Sequence, residues 1–414
     1  MSSINASGCV KHLLIASGLL LVVIGYALVQ NWDAFSLMFD NMTAMGEGAA
    51  QAEALRTPAD LVDYLAAHPE RVSLVAYDLG AEEEGIFYQA DTLRPLANVP
   101  DVLLLAAYAR QAEAGRLDPD RRVALDSIAV YALPGTGESR HQQVRTRWRA
   151  AGYVKADGTV ALRHVVEGAI RYNDEAAADW LMRAMGDVPL QQAAEALGLA
   201  HSEPPLPGSG MQLMWSRHDR AVSLATRIDT LRAMPRSTVA ERAYRQMERL
   251  RRDTAFRRLE RERLARHGAG LSLRQQRTLA RQTVPRGSAA EYAKLLERVV
   301  TGTFATPGVA ELMRAHLERS VANDSVATTI AAVGSKGGAM PGLISFAGYA
   351  RRADGAPPRI VVLFVEQVPM AVLYHLMQTG LDKGLQLRLL GDDAFFREAR
   401  AQLAPLGMAA TPHH

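Results

Sequence analysis

Few residues of this chain are set up for chemistry by type and spacing. The single cysteine, Cys9, can form neither an internal disulfide nor a thiolate metal cluster, and the eleven histidines include no HExxH pair, so no metal centre is expected. Four polar clusters remain: Asn98-Val99-Pro100-Asp101, Asn173-Asp174-Glu175, Glu203-Pro204-Pro205-Leu206 and Ser335-Lys336-Gly337-Gly338. The first opens a long apolar run and reads as a capped helix start. Asn is a favoured N-cap, Pro is favoured in the first turn, and an Asp there is held in its charged form by the helix dipole, which makes it a weak base. Asn173-Asp174 reads as a cap in the same way. Glu203, ahead of three prolines, reads as a loop residue. Lys336 could hold a carboxylate by charge, while Gly337 and Gly338 would let a ligand approach the backbone. Acid–base work by Asp101 with Glu203 or Lys336 would require two such groups close in space with their pKa values driven apart.

Two sheet-forming regions must position these clusters. An amphipathic stretch from Thr57 to His68 reads as a helix and leads into two strands, residues 71–79 and 84–90, around an acidic turn. The chain then turns helical until strands return at 343–350 and 359–366, joined by a loop containing Asp354-Gly355. Strands at both ends with helices between them imply a sheet closed by distant segments, with an all-helical part beside it.

Three stretches, in order and with their spacing, resemble the class A serine β-lactamases and related penicillin-recognising hydrolases. They are the strand and helix from Tyr88 to Leu117, the turn and helix from Asn173 to Asp179, and Gly334 to Gly338 with the strands that follow. The resemblance covers roughly residues 54–215 and 283–400. It implies an α/β (α+β) fold, an α-β-α sandwich on an antiparallel sheet with a helical subdomain, and no cofactor. It also implies catalysis by an S-x-x-K pair, and here this sequence departs from the family. Asn98 stands at the serine position and Asp101 at the lysine, and no serine lies between Ser73 and Ser127. A carboxamide is no acyl acceptor, so acylation loses both its nucleophile and its base. In the S-D-N turn, Asn173 replaces Ser, Asp174 is kept, and Glu175 replaces Asn. In the K-T-G strand, Lys336 and Gly338 are kept but Gly337 replaces the threonine. Glu203 falls at the glutamate of an E-P-x-L loop, where it would have no acyl-enzyme to deacylate. Ligand contacts are expected at Asn98, Asn173, Lys336, Gly337 and Gly338, with Ser335 a remote candidate nucleophile.

Composition is ordinary for a globular protein, 48% hydrophobic and 22% charged, and 47 Lys plus Arg against 44 Asp plus Glu leave only +3. No nucleic-acid partner is expected. Residues 13–30 form an uncharged apolar run at the short end of what spans a bilayer as a helix, after a short cytoplasmic N-terminus at 1–12, and the run reads as an uncleaved anchor with a cleaved signal peptide as the alternative. The charge bias around the run places the remainder outside a bacterial cytoplasmic (inner) membrane, in the periplasm. Residues 31–53 read as a juxtamembrane spacer, 54–114 with 325–414 as the α/β part, and 115–324 as the helical part with an insert at 216–282. From 241 to 281 the insert carries thirteen Arg against five acidic residues, and two amphipathic helices broken near His267-Gly268 are expected there. Such an excess could meet an anionic surface or an acidic partner. The sequence as a whole reads as a membrane-anchored, exported β-lactamase-like pseudoenzyme that binds a peptidoglycan-related ligand or a protein. The alternative is a hydrolase using non-standard residues.

Overall fold

The computed structural model describes residues 32–135, 137–216, 223–321 and 328–408. The expected spanning segment 13–30 lies outside the described residues. Among the described residues no helix is long and apolar enough to cross a membrane.

In chain order, helices α1 (Trp32–Gly46) and α2 (Pro58–Ala66) precede strands β1 (Val72–Asp78), β2 (Ile86–Tyr88) and β3 (Arg94–Pro95). Next come α3 (Asp101–Glu113), β4 (Arg122–Ala124), α4 (Gly137–Ala150), β5 (Thr159–Ala161), α5 (Leu162–Arg171), α6 (Glu175–Met185) and α7 (Gly208–Trp215). The insert supplies α8 (Arg236–Arg252), α9 (Thr254–His267) and α10 (Leu273–Thr283), before β6 (Arg286–Gly287), α11 (Ala289–Val300) and β7 (Glu318–Arg319). Strands β8 (Ile330–Met340), β9 (Leu343–Arg352) and β10 (Arg359–Glu366) and helices α12 (Met370–Thr379), α13 (Leu381–Gly391) and α14 (Asp393–Met408) complete the described chain.

The main sheet is antiparallel in the order β2-β1-β10-β9-β8-β7, so the first strand closes against the last. Strand periodicity builds its two faces. Val75, Tyr77, Ile360, Val362 and Phe364 enter one core with α3 and α11, whereas Leu74, Ala76, Val361, Leu363 and Val365 enter another with α2, α12, α13 and α14. The result is an α-β-α sandwich. Helix α3 is buried along nine consecutive residues from Asp101 to Ala109, as a helix apolar on every side must be. Helix α11, read from sequence as part of the helical region, instead lies on the sheet, with Tyr292 edge-on to Phe364 at 5.7 Å.

Of the spacer expected at 31–53, the described residues 32–53 are instead largely helical. Helix α1 and a following turn of helix at Ala49–Ala54 belong to the folded body, where Ala44 and Ala52 are buried. Asn41 Oδ1 accepts the Leu273 N–H (2.8 Å), and the Glu47 carboxylate pairs with both Arg274 and Arg277 of α10. The insert also differs from expectation. It holds four helices: one at Leu224–Arg232 precedes α8, and Asp253, whose carboxylate accepts the Phe256 N–H, splits the first of the two expected helices into α8 and α9. Most of its arginines are engaged: Arg251 and Arg252 with Glu248, Arg261 with Glu138, Arg263 with Glu260, Arg266 with Glu262, and Arg281 with Glu366.

Candidate functional site

A cleft of about 180 Å³ opens between the N-terminus of α3, the N-terminal half of α6, α7, the insert and the free end of β8. Its walls are largely apolar, including Leu96, Pro100, Met182, Met211, Trp215 and Met340, and its polar groups are Asn98, Asp101, Asn173, Asp174, Glu175, Asp179, Gln212 and Gln276. None of the lining residues carries a hydroxyl, a thiol or an amine. The β3–β6 ladder and the Leu96 N–H donating to Pro285 O (2.8 Å) bring the loop before α3 to the end of α10. Ser345 Oγ accepts the Ala97 N–H (3.1 Å), which fixes that loop to β9.

The sequence clusters at 98–101, 173–175 and 335–338 do meet here, but in other roles than expected. Lys336 is 1% exposed, and its ammonium donates to Ala169 O (2.9 Å), Ile170 O (3.2 Å) and Asn173 Oδ1 (2.5 Å) while pairing with Asp101 Oδ2 at 3.1 Å. An ammonium has three N–H donors, so four acceptors saturate it and none is left for an incoming carboxylate. Burial pushes the Asp101 carboxyl up and the Lys336 ammonium down, against their mutual attraction. The direction is opposite to the one expected from a helix N-terminus, and desolvation is its largest cause, while Lys336 remains the counter-charge of Asp101.

Asn173 is likewise consumed. Its φ of 52° is left-handed, which asparagine tolerates, and this turns the amide onto β8, where Nδ2 donates to Gly337 O (3.0 Å). Neither Lys336, Asn173 nor the Gly337 carbonyl is therefore an open ligand contact. Gly338 is a glycine for a reason other than ligand approach, since a Cβ there would collide with Asn98 Oδ1. The Asn98 side chain does not cap α3. Its carbonyl does the work of starting the helix, accepting the Asp101 N–H at 3.2 Å. Of the five expected contacts, Asn98 alone lines the cleft without its amide being tied down.

Asp174 caps α6 through the Ala176 and Ala177 N–H groups, as read from sequence, and its second oxygen accepts from buried His141 Nδ1 (2.8 Å). Glu203 is outside the cleft. Its carboxylate pairs with Arg236 and accepts the Arg286 N–H (2.8 Å), so it fastens its loop to α8 and β6. Ser335 accepts from Arg319 and also stands outside the lining.

Sequence reasoning missed Asp179, although the signal was there: it lies one turn after Glu175 on the same helix face. Asp179 accepts the Gly208 and Ser209 N–H groups (2.8 Å each) and the Ser209 hydroxyl, yet burial pushes it up to about 7. Glu175 accepts no hydrogen bond among the described residues. Burial, with Asp101 and Asp174 adding like charge, raises it to about 7 as well. No group of side chains suited to a metal ion occurs among the described residues.

The architecture and the convergence of these clusters define a protein built like the penicillin-recognising hydrolases, and a family comparison makes this firm. The chain belongs to the beta-lactamase enzyme family, whose model matches residues 57–371. No curated protein sequence matches it. Solved structures similar to it include a β-lactamase from Sphaerobacter thermophilus DSM 20745, with 16% identity, 85% of this chain and 98% of that one covered, and a TM-score of 0.49. PBP-A is similar at 14% identity, with 82% and 96% covered and a TM-score of 0.48. A β-lactamase from Chitinophaga pinensis DSM 2588 gives 13%, 79% and 99%, and 0.45.

Proposed function

We propose that this chain is a membrane-anchored, exported pseudoenzyme of the β-lactamase family that binds a cell-wall-related ligand without forming an acyl-enzyme. Residues 13–30 hold it to the inner membrane and the folded part stands in the periplasm. One observation carries the reading: where the family resemblance calls for a serine and its activating lysine, Asn98 abuts Gly338 and Asp101 is locked into a buried pair with Lys336. Proton removal from a nucleophile needs both a hydroxyl and a free base, and the cleft lining supplies no hydroxyl at all. The lining carries four carboxyl groups, and the one ammonium behind them is saturated. That balance favours a ligand presenting an amine or neutral amides to the cleft over one presenting a carboxylate.

The test is intact-mass spectrometry of the full chain after incubation with a reactive penicillin, beside an Asn98→Ser/Asp101→Lys variant. The parent should show no adduct and the variant a covalent one. A stoichiometric adduct on the parent would overturn the proposal.

A second reading, hydrolysis by carboxyl groups, is favoured by Glu175 alone, an unpartnered group raised to about 7 on the cleft wall. A group poised there can give or take a proton near neutral pH. Under this reading the parent hydrolyses a cell-wall peptide or amide, and Glu175→Gln abolishes the turnover. No turnover by the parent rules it out.

A further inference from the structure

We propose that the packed pair α1 and α12 presents an apolar face that lies on the membrane surface, so that the folded body rests against the lipid rather than hanging from a tether. This rests on the reading of residues 13–30 as the anchor. Of the nine large hydrophobic side chains that stand exposed among the described residues, five sit on these two helices: Met38 (47%), Phe39 (60%), Met42 (63%), Tyr374 (47%) and Met377 (65%). Such clustering on short helices is not what scattered surface exposure produces. The helices are joined where the Ala371 N–H donates to Glu47 O (3.1 Å) and Gly48 packs on Pro369. On the far side from the exposed side chains, Ala44 of α1 and Val372 and Leu376 of α12 enter the core, so each helix is apolar on two sides.

The chain itself dictates the occupant. The apolar run ends at Gln30, and α1 begins at Trp32. Phe39 lies seven residues beyond Trp32, about 10 Å along a helix, so a spanning segment at 13–30 keeps this face close to the headgroups. Nearby charge is mixed, with Asp40 on α1 against Arg274 and Arg277, which share Glu47. Burial of apolar side chains therefore drives the contact, and a zwitterionic bilayer suffices.

The experiment uses the full chain in phosphatidylcholine vesicles. Cys9→Ser removes the native thiol, and an environment-sensitive dye is attached at one of four sites through Phe39→Cys, Met377→Cys, Val22→Cys or Leu259→Cys. Leu259 is an exposed leucine on α9, outside the α1/α12 pair. Nitroxide lipids labelled near the headgroup should quench the dyes at 39 and 377 at least about twofold more than the dye at 259, as expected for side chains inserted at the interface. A nitroxide deep in the acyl chains should quench the dye at 22. Deep quenching at 22, with 39 and 377 behaving like 259, overturns the docking and leaves the anchor intact. Shallow quenching at 39 and 377 without quenching at 22 supports the docking and removes the anchor. Blue-shifted dyes at 39 and 377 that no lipid nitroxide quenches would mean that a second copy or residues 1–31 cover the face, which also overturns the proposal.

Discussion

At Asp101 and Lys336 the molecule buries two opposite charges inside one shell of polar partners. Removing one member leaves the other uncompensated, so Lys336→Met or Asp101→Leu alone should lower unfolding stability by about 3–5 kcal/mol. The double variant should recover most of that loss, because two apolar side chains of similar size need no partners. Urea unfolding of the four proteins checks this, and additive losses would contradict it. Glu175 makes a pH prediction with a definite sign. Its unfolded carboxyl titrates at its ordinary 4.5 and its folded one near 7, so the folded chain keeps a proton that the unfolded chain has lost. The stabilisation is full below about 4.5 and drains away as pH rises through about 7. Unfolding free energy measured across this range should fall in the parent relative to Glu175→Gln, and equal slopes would show that Glu175 is not raised.

At the scale of elements, β8 meets the start of α3 through close packing of Gly338 on Asn98. Gly338→Ala pushes a methyl into Asn98 and should cost about 1–3 kcal/mol, while adding Asn98→Ala should restore most of it. A thermal melt that leaves Gly338→Ala unshifted would show that the loop yields freely. Glu203 is a fastener by the same logic. Glu203→Gln should lose about 1–2 kcal/mol through the Arg236 and Arg286 contacts, yet leave penicillin labelling of the Asn98→Ser/Asp101→Lys protein unchanged. The strands at 72–78, 343–352 and 359–366 were legible because alternate side chains feed two different cores. So was the meeting of the three clusters, through their order and spacing. The saturation of Lys336 was not legible, because its acceptors include the carbonyls of Ala169 and Ile170, and a backbone carbonyl leaves no mark in a sequence. The break at Asp253 was legible in principle as a cap, but continuous charge on both sides masked it.

Across the whole molecule, the segment before Ala54 was misread because α1 shows the core only a narrow stripe around Ala44, while its other apolar side chains stay outside. A chain beginning at Ala54 should therefore unfold at lower urea than one beginning at Asn31, and equal midpoints would return 31–53 to the status of a spacer. The insert is bound into the body in a similar way. Helix α10 holds Glu47 of the first segment through Arg274 and Arg277, and Glu366 of β10 through Arg281, while Arg94 grips the other oxygen of Glu366 from within. Gln276 of the same helix lines the cleft. One short rod thus carries clamps at both flanks and a share of the cleft wall between them. A shift of α1 is passed through Arg274 and Arg277 to the helix that lines the opening through Gln276 and holds β10 through Glu366, so the first helix, the opening and the middle of the sheet share one mechanical support.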